Sequence, residues 1–262
     1  MIPKIIHYCW FGGNPLPDFA KKCIDSWKKH LPAYEIREWN ESNYDVTACD
    51  YVKEAYEEKK WAFVSDYARF DILYKYGGIY FDTDVELIAP IDDILQKGAF
   101  MGMEDDRCGV NSGLGLAAEP HQQIYREILN RYKGRHFKSQ SGVIDQLDVV
   151  KFVTPIFQEC GYQLEPKIQT VDGITIYPKE YFCPLDYATG QLHIGKNTRS
   201  IHHYTASWKS EKDLKWQKVN KWAHMTFKQY TADKIMCFPA VRLVGSIYRN
   251  GIAKTVLAIL KK

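Results

Sequence analysis

The stretch Gly77-Gly78-Ile79-Tyr80-Phe81-Asp82-Thr83-Asp84-Val85-Glu86-Leu87 decides how this chain folds. Apolar residues at helical spacing fill the preceding segment 62–76, and the two glycines end that helix as its C-cap and breaker. The β-branched and aromatic residues that follow predict a strand over 79–87. A helix that leads through glycines into an apolar strand is typical of α/β layer folds.

Elements on the amino-terminal side continue the same alternation. Segment 2–11 is β-rich and runs into Gly12-Gly13, and segment 34–39 alternates like a second strand. A helix is predicted after Pro17-Asp18, because four apolar residues recur every four positions: Phe19, Cys23, Trp27 and Leu31. A further helix is expected over 51–60. The order β-α-β-α-α-β predicts a Rossmann-like, mostly parallel sheet flanked by helices, with ligands at the carboxyl ends of its strands.

The pattern beyond residue 98 is mixed. We expect a helix over 121–132 and short strands near four positions, Phe100, Leu114, Ile174 and Ser200. No internal repeat, low-complexity tract or Gly/Ser linker interrupts the sequence. We therefore expect one α/β domain over 1–238 and a helical appendage over 239–262.

Composition excludes several classes of protein. With 262 residues, 45% hydrophobic and 26% charged, the chain has the balance of a globular protein. Its longest stretch without Asp, Glu, Lys or Arg, 5–17, contains His7 and two glycines, so we expect neither a membrane-spanning helix nor a secretory signal. The seven cysteines never form C-x-x-C, so no zinc knuckle is expected and a reducing, cytoplasmic location fits.

The net charge of +3 is unevenly distributed. Segment 239–262 holds five basic residues and no acidic one, which leaves residues 1–238 at −2 and argues against a nucleic-acid partner. Apolar residues of this tail follow helical spacing with basic residues between them, although Gly245 and Gly251 weaken the helix. Two interpretations stay open. The tail could contact an anionic membrane surface, at ~1 kcal/mol per cation, and hold the protein peripherally on the cytoplasmic face, or it could dock on the domain.

Asp82-Thr83-Asp84 is the first candidate for a metal-binding or catalytic site. On a strand its two carboxylates would project to one face, about 7 Å apart, where hard oxygens can serve a divalent cation. An Asp-x-Asp triplet is expected about once by chance in a chain of this composition, so the spacing alone decides little. Its place at the end of an aromatic strand favours a metal site, because bare carboxylates there need a cation to neutralise them.

A second constellation, Ser65-Asp66 followed by Arg69, lies one helix earlier. Asp66 and Arg69 are three positions apart, so an ordinary surface ion pair worth ~0.2–0.5 kcal/mol is one interpretation. The other is a substrate grip, in which Arg69 neutralises a phosphate and Asp66 accepts from sugar hydroxyls. Taken without their context, these residues favour the ion pair.

Three blocks, in order, resemble the DXD-containing sugar-binding region of the glycosyltransferase 32 family: Cys9-Trp10-Phe11-Gly12-Gly13, Ser65-Asp66-Tyr67-Ala68-Arg69 and Gly77-Gly78-Ile79-Tyr80-Phe81-Asp82-Thr83-Asp84. That family includes α-mannosyltransferases and bacterial capsule transferases, and the blocks also resemble the glucosyltransferase domains of large clostridial toxins. The match covers residues 1–95, and His202-His203-Tyr204-Thr205-Ala206-Ser207-Trp208 resembles the family's carboxyl-terminal block. The resemblance implies a GT-A fold and a nucleotide-sugar donor.

The resemblance also implies contacts to that donor. Trp10 would stack on the base, the backbone around Cys9 would read the edge of the base, and Tyr80 would pack on the ribose. Trp208 would brace the diphosphate. Asn111 matches an asparagine block that lines the sugar pocket in relatives, and a plain turn residue is its other interpretation.

The expected catalytic residues are four charged groups implied by the same blocks: Asp66, Arg69, Asp82 and Asp84. Asp66 and Arg69 would hold the donor sugar hydroxyls and a phosphate oxygen. Asp82 would contact ribose and sugar hydroxyls beside the metal, and Asp84 would ligate the metal directly.

The carboxyl-terminal block would complete the metal shell. His203, His202 or Ser207 would supply the remaining ligands, and Ser207 would also contact the donor. The other interpretation of the two histidines is a half-buried pair at a strand end. Imidazole together with carboxylate suits Mn²⁺ better than an all-oxygen shell, and Mg²⁺ stays an option.

The chemistry of such a reaction explains these residue types. Cleavage of a sugar–diphosphate bond leaves a highly charged leaving group, so the site must stabilise charge where it develops. A divalent ion and Arg69 would supply that stabilisation. Family members retain the anomeric configuration, and no carboxylate stands out as the nucleophile for a double displacement. We therefore expect a front-face route.

The expected function is metal-dependent, retaining hexosyl transfer to a polysaccharide or lipid-linked oligosaccharide in cell-surface polysaccharide (capsule) biosynthesis. A UDP-sugar is favoured over a GDP-sugar because the block around Trp10 is toxin-like. A toxin-like transferase that modifies a protein side chain and a glycan-binding module without catalysis are the alternatives. A nucleotidyltransferase would need a basic glycine-rich loop, and Gly12-Gly13 has no adjacent cation.

Overall fold

The computed structural model describes residues 1–139, 141–145 and 147–205. The chain divides into two compact units, of which the first is Met1–Leu185 with His193–Tyr204. In the second unit the structure describes 186–192 and 205, and there Gly190 donates its N–H to the Asp186 carbonyl at 2.7 Å to close a turn. Ser207, Trp208 and the whole of 239–262, for which we made predictions above, lie outside the described residues.

All helices and strands of the described residues belong to the first unit. The strands are β1 (Ile5–Cys9), β2 (Glu35–Trp39), β3 (Gly78–Tyr80), β4 (Val85–Leu87), β5 (Phe100–Met103), β6 (Val110–Asn111), β7 (Leu116–Ala118), β8 (Gln169–Val171), β9 (Ile174–Tyr177) and β10 (Ser200–His202). The helices are α1 (Asp18–His30), α2 (Asp50–Glu57), α3 (Trp61–Tyr76), α4 (Asp92–Leu95), α5 (Gln123–Lys133), α6 (Val149–Glu159) and α7 (Lys179–Phe182). None of these described helices combines the length and apolar character needed to cross a membrane.

Eight strands form one mixed sheet in the order β2-β1-β3-β7-β5-β9-β8, with β6 paired to β5. β1, β2, β3, β5 and β9 run in one direction, and the other three run against them. β4 and β10 form a separate antiparallel pair. The predicted α/β class with a Rossmann-like, mostly parallel sheet is confirmed.

Helices cover both faces of the sheet. Side chains of α2, α3, α5 and α6 join one apolar cluster, and those of α1, α4 and α7 join the other. The predicted first helix is confirmed: it follows Pro17, and its last turn carries Lys28, Lys29 and His30, which complement the helix dipole. Trp27 of this helix is fully buried and donates its indole N–H to the carbonyl of Val85 at 2.7 Å. α1 therefore anchors β4, the strand that directly follows the candidate metal site in the chain.

The end of α3 is fixed by a glycine and a buried histidine. Gly77 has φ 62°, and a Cβ there would lie 2.7 Å from Cδ of Pro120 and 2.9 Å from the carbonyl oxygen of Ala118, so only glycine fits. Nδ1 of His7 accepts from the indole N–H of Trp39 at 3.0 Å, and Nε2 lies 3.0 Å from the carbonyl oxygen of Gly77. Burial lowers the pKa of His7 to about 4 and keeps the ring neutral.

Candidate metal and donor site

Asp82 and Asp84 lie on a turn that leaves the main sheet. The prediction of one continuous strand over 79–87 is wrong: the chain breaks between β3 and β4, and the N–H of Val85 donates to the carbonyl of Asp82 at 3.0 Å to close the turn. The physical reason is a change of partners, since β3 pairs with β1 and β7, whereas β4 pairs with β10. The two carboxylates are therefore presented by a tight turn at the carboxyl end of β3, not by strand alternation.

A histidine from the far end of the first unit completes a three-residue cluster. His202 on β10 lies opposite Val85, and its Nε2 is 3.2 Å from Oδ1 of Asp84. One ligand atom each of Asp82, Asp84 and His202 lies within 4.8 Å of the others. The structure thus brings together three of the residues predicted to bind metal.

His203 lies outside this cluster. Its Nε2 is 2.8 Å from Oε2 of Glu86, and its ring packs edge-on against Phe19 with the ring centroids 4.9 Å apart. Successive side chains at a strand end point to opposite sides, so His202 and His203 cannot both face the same carboxylates. Between the two histidines, the structure places His202 beside the acidic turn.

The electrostatics of the cluster fit a divalent cation. Burial raises the pKa of Asp82, although the nearby Arg69 opposes the rise. Burial works against protonation of His202, yet Asp84 and Asp82 outweigh it and raise the pKa of His202. Nδ1 of His202 is buried and has no hydrogen-bond partner among the described residues. Two carboxylates with an incompletely satisfied imidazole are a donor set that Mn²⁺ accepts.

Arg69 holds the acidic turn from inside the protein. Its side chain is 3% exposed, and Nη2 lies 3.0 Å from Oδ1 of Asp66 and 3.1 Å from Oδ1 of Asp82. Nε donates to the carbonyl of Ser65 at 3.0 Å, and Nη1 donates to Oγ of Ser112 at 3.1 Å. Burial disfavours the charged guanidinium, but the neighbouring acidic groups, Asp82 first among them, together outweigh it and raise the pKa of Arg69 above its usual value. Asp66 and Arg69 therefore form the expected i,i+3 ion pair, but the pair is buried and also contacts Asp82. Phosphate binding by Arg69 stays a prediction.

Tyr80 and Asp66 complete this inner layer. The Tyr80 side chain is 1% exposed, its hydroxyl donates to Oδ1 of Asp82 at 2.9 Å, and the Arg69 guanidinium lies 5.0 Å from its ring centroid. Tyr80 thus supports Asp82 from behind, and its expected contact to a ribose stays a prediction. Burial raises the pKa of Asp66 to about 7, although the nearby Arg69 opposes the rise.

The turn of Asn111-Ser112-Gly113 packs directly against Asp82. Oδ1 of Asn111 accepts from the N–H of Gly113 at 2.6 Å, and the carbonyl of Gly113 accepts from the N–H of Asp82 at 3.3 Å. A Cβ on Gly113 would lie only 2.2 Å from Oδ2 of Asp82. The turn and the sugar-pocket interpretations of Asn111 are therefore compatible, because the turn it makes borders the acidic cluster.

Glu104 belongs to the same network, although the sequence analysis did not single it out. Its Oε1 accepts from Nδ2 of Asn111 at 3.1 Å and from the hydroxyl of Tyr204 at 3.4 Å. The sequence signal that could have identified Glu104 is its position directly after the strand predicted near Phe100. Ligands collect at the carboxyl ends of parallel strands.

Cys9 and Trp10 lie at the carboxyl end of β1, beside β3. Burial raises the pKa of the Cys9 thiol to about 12, so the thiol stays protonated. Trp10 is partly buried, its backbone N–H donates to the carbonyl of Trp39 at 2.8 Å, and its indole N–H donates to the carbonyl of Asn14 at 2.6 Å. Base stacking by Trp10 stays a prediction.

Comparison with known proteins finds a matching family and two similar relatives. Residues 17–101 match the family described as a glycosyltransferase sugar-binding region containing the DXD motif. Two relatives from Schizosaccharomyces pombe are similar: inositol phosphoceramide mannosyltransferase 1 is 26% identical over 63% of this chain, and inositol phosphoceramide mannosyltransferase 3 is 34% identical over 49%. These alignments span 53% and 37% of the respective relatives, so the chain spans about half or less of their length.

Solved glycosyltransferases are more distant. PaToxG glycosyltransferase has a TM-score of 0.48 at 20% identity, covering 60% of this chain and 70% of that one. The galactosyltransferase LgtC, solved with donor and acceptor sugar analogs, has a TM-score of 0.42 at 12% identity, covering 88% of this chain and 99% of that one. The family match includes α3, the Asp82-Thr83-Asp84 turn and the two strands that flank it, β3 and β4. Residues 17–101 are thus similar to the glycosyltransferase sugar-binding region that contains the DXD motif, and the two S. pombe mannosyltransferases are similar over a longer part of the chain.

Proposed function

We propose that the protein transfers a hexose, with retention of configuration, from a nucleoside diphosphate sugar to a glycan or lipid-linked acceptor with the help of a divalent cation. The observation that carries this proposal is the cluster of Asp82, Asp84 and His202, whose ligand atoms lie within 4.8 Å of one another. The two aspartates lie inside the family-matched residues 17–101. A glycan-binding module without catalysis would have no need of a site that holds a nucleoside diphosphate.

The residues of the cluster fit Mn²⁺, with Mg²⁺ as the second choice. Asp82, Asp84 and His202 would hold the cation, which when bound supplies positive charge to the departing diphosphate. The task of Arg69 is to keep Asp82 in place, because its Nη2 bridges Asp82 and Asp66 at 3.1 and 3.0 Å. Since this brace is buried, the carboxylates keep their orientation before substrate arrives, which lowers the reorganisation needed in the reaction.

The donor is a nucleoside diphosphate hexose. The mannosyltransferase names of the two S. pombe relatives support a mannose donor and thus a guanosine nucleotide, whereas the sequence around Trp10 favours uridine. Trp10 would stack on the base in either case, since stacking needs only the face of the ring. Asp66, whose Oδ1 shares Nη2 of Arg69 with Asp82, would accept from sugar hydroxyls.

The acceptor is a polysaccharide or a lipid-linked saccharide in cell-surface polysaccharide synthesis. The relatives are named for inositol phosphoceramide, a lipid, which supports the lipid-linked form. We assign residues 1–238 to the catalytic domain and 239–262 to a basic helix that contacts the cytoplasmic face of the membrane. The measurement for this assignment is co-sedimentation with anionic vesicles, which deletion of 239–262 should abolish while donor binding persists.

A thermal-shift panel of UDP- and GDP-sugars, with and without Mn²⁺, tests the central proposal. A ligand at 100 times its dissociation constant adds ~2.7 kcal/mol of stability, which is visible as a shift in Tm. We expect one donor to raise the Tm only with Mn²⁺, and Asp84→Ala to abolish that shift. Glu86→Gln is the matched control, because Glu86 faces His203 outside the cluster. A shift with free glycans and none with any nucleotide sugar would instead support the glycan-binding module.

A further inference from the structure

Glu104 has a carboxylate to which the proposed function assigns no role. It directly follows β5, and its backbone N–H donates to the carbonyl of Gly109 at 2.8 Å, which fixes the main chain at this point. The side chain is half-buried, and burial raises its pKa. A carboxylate removed from water needs a reason to be there, since its desolvation is unfavourable.

Three hydrogen bonds in series link Glu104 to the first aspartate of the metal cluster. Nδ2 of Asn111 donates to Oε1 of Glu104 at 3.1 Å, which leaves Oδ1 of Asn111 to accept from the N–H of Gly113 at 2.6 Å. The Gly113 carbonyl in turn accepts from the backbone of Asp82 at 3.3 Å. Glu104 therefore sets which way the Asn111 amide points, and that amide holds the turn against Asp82.

A second contact links the same oxygen to the histidine of the cluster. The hydroxyl of Tyr204 lies 3.4 Å from Oε1 of Glu104, and the Tyr204 ring packs edge-on against His202 with centroids 4.2 Å apart. Tyr204 has φ 52°, a left-handed conformation that is strained for a tyrosine and persists only where surrounding contacts hold it. The hydroxyl also lies 2.9 Å from Sγ of Cys183. Contacts at the hydroxyl of Tyr204 thus hold its ring against His202.

We propose that Glu104 is a positioning residue that holds the two halves of the metal site at one spacing. Its Oε1 joins the turn beneath Asp82 to the tyrosine that packs on His202, two parts of the chain that are distant in sequence. The inference rests on the proposed metal-dependent function. Outer residues of this kind orient metal ligands, and their loss typically weakens metal binding by 10–100-fold.

This role is tested by measuring the binding of Mn²⁺ alone, with titration calorimetry or with the EPR signal of free Mn²⁺. The assay needs neither donor nor turnover. We expect Glu104→Ala to raise the Mn²⁺ dissociation constant by 10–100-fold. Glu104→Gln keeps an oxygen that can accept both hydrogen bonds, so we expect it to bind Mn²⁺ close to the wild-type value. Tyr204→Phe keeps the ring and removes one donor, and a loss of about fivefold is expected for one hydrogen bond.

Asp105→Asn is the matched control, because it removes a negative charge at the next residue, whose carboxylate faces Arg107 instead. We expect this variant to bind Mn²⁺ like the wild type. Wild-type affinity in both Glu104→Ala and Tyr204→Phe would overturn the inference, and so would equal losses in Glu104→Gln and Glu104→Ala, since charge and not geometry would then be responsible. A wild-type protein that binds no Mn²⁺ would instead overturn the proposed function. Should the alanine variant not fold, the glutamine and phenylalanine variants decide the question.

Discussion

Gly113 is a position where the addition of one methyl group should disturb the proposed metal ligands. A Cβ there would lie 2.2 Å from Oδ2 of Asp82, 3.2 Å from Oδ1 of Asn111 and 3.3 Å from Nη1 of Arg69. Ordinary contacts of a Cβ begin at 3.4 Å, so the Asp82 carboxylate has to move by about 1 Å. It cannot simply rotate away, because Tyr80 and Arg69 both hold its Oδ1. Gly113→Ala is therefore expected to displace the carboxylate of Asp82, a proposed metal ligand, without removing any polar group.

A displacement of about 1 Å in a reacting site can lower turnover ~100-fold. We expect Gly113→Ala to lose that much activity and to weaken Mn²⁺ binding, with overpacking lowering the free energy of unfolding by ~1–3 kcal/mol. The assays are release of the nucleoside diphosphate, Mn²⁺ titration and urea denaturation. Gly134→Ala is the control, since nothing lies within 4 Å of its Cβ and its φ is −99°. Turnover and metal affinity equal to those of Gly134→Ala would refute the steric reasoning.

Two further predictions concern the nucleotide and the core. Trp10→Ala should weaken UDP or GDP binding by ~1–3 kcal/mol, the value of one base–aromatic stack, in equilibrium titration; unchanged affinity for both nucleotides would remove Trp10 from the site. His7 should make stability depend on pH, because its pKa is about 4 when folded and 6.5 when unfolded. The unfolded chain takes up the proton first, so stability is fully present above pH 6.5 and falls as the pH drops towards 4. The total loss is about 3 kcal/mol, measured by urea denaturation across this range. A His7→Gln variant with the same pH slope would contradict this assignment.

Local sequence signals predicted the helices that precede the acidic turn. The four-residue spacing of α1 and the glycines after α3 reflect packing and backbone geometry that neighbouring residues determine. α6 was missed, because Pro155 stands inside it and a proline normally argues against a helix interior. The break between β3 and β4 was missed for a different reason. The run is uniformly apolar and aromatic up to Asp82, and only the pairing with β10 shows that the chain changes sheets there.

For the candidate site, too, the sequence predicted local features and missed those that depend on tertiary contacts. The blocks around Asp66, Arg69 and Asp82 were found in the sequence because their residues are close together along the chain. That Arg69 is buried between two carboxylates, with 3% of its side chain exposed, could not be predicted, since the i,i+3 spacing is equally compatible with a surface pair. The choice between His202 and His203 depended on the register of β10 against β4, which no local pattern specifies.

The pairing of β10 with β4 has a consequence for the order of folding. It joins segments more than a hundred residues apart, and the loop-closure entropy of such a contact has to be overcome after the local helices have formed. Asp82 and Asp84 are adjacent from the moment the β3–β4 turn exists, but His202 reaches them only when that long loop closes. A refolding chain is therefore expected to regain helical signal before Asp82, Asp84 and His202, the proposed metal ligands, are brought together.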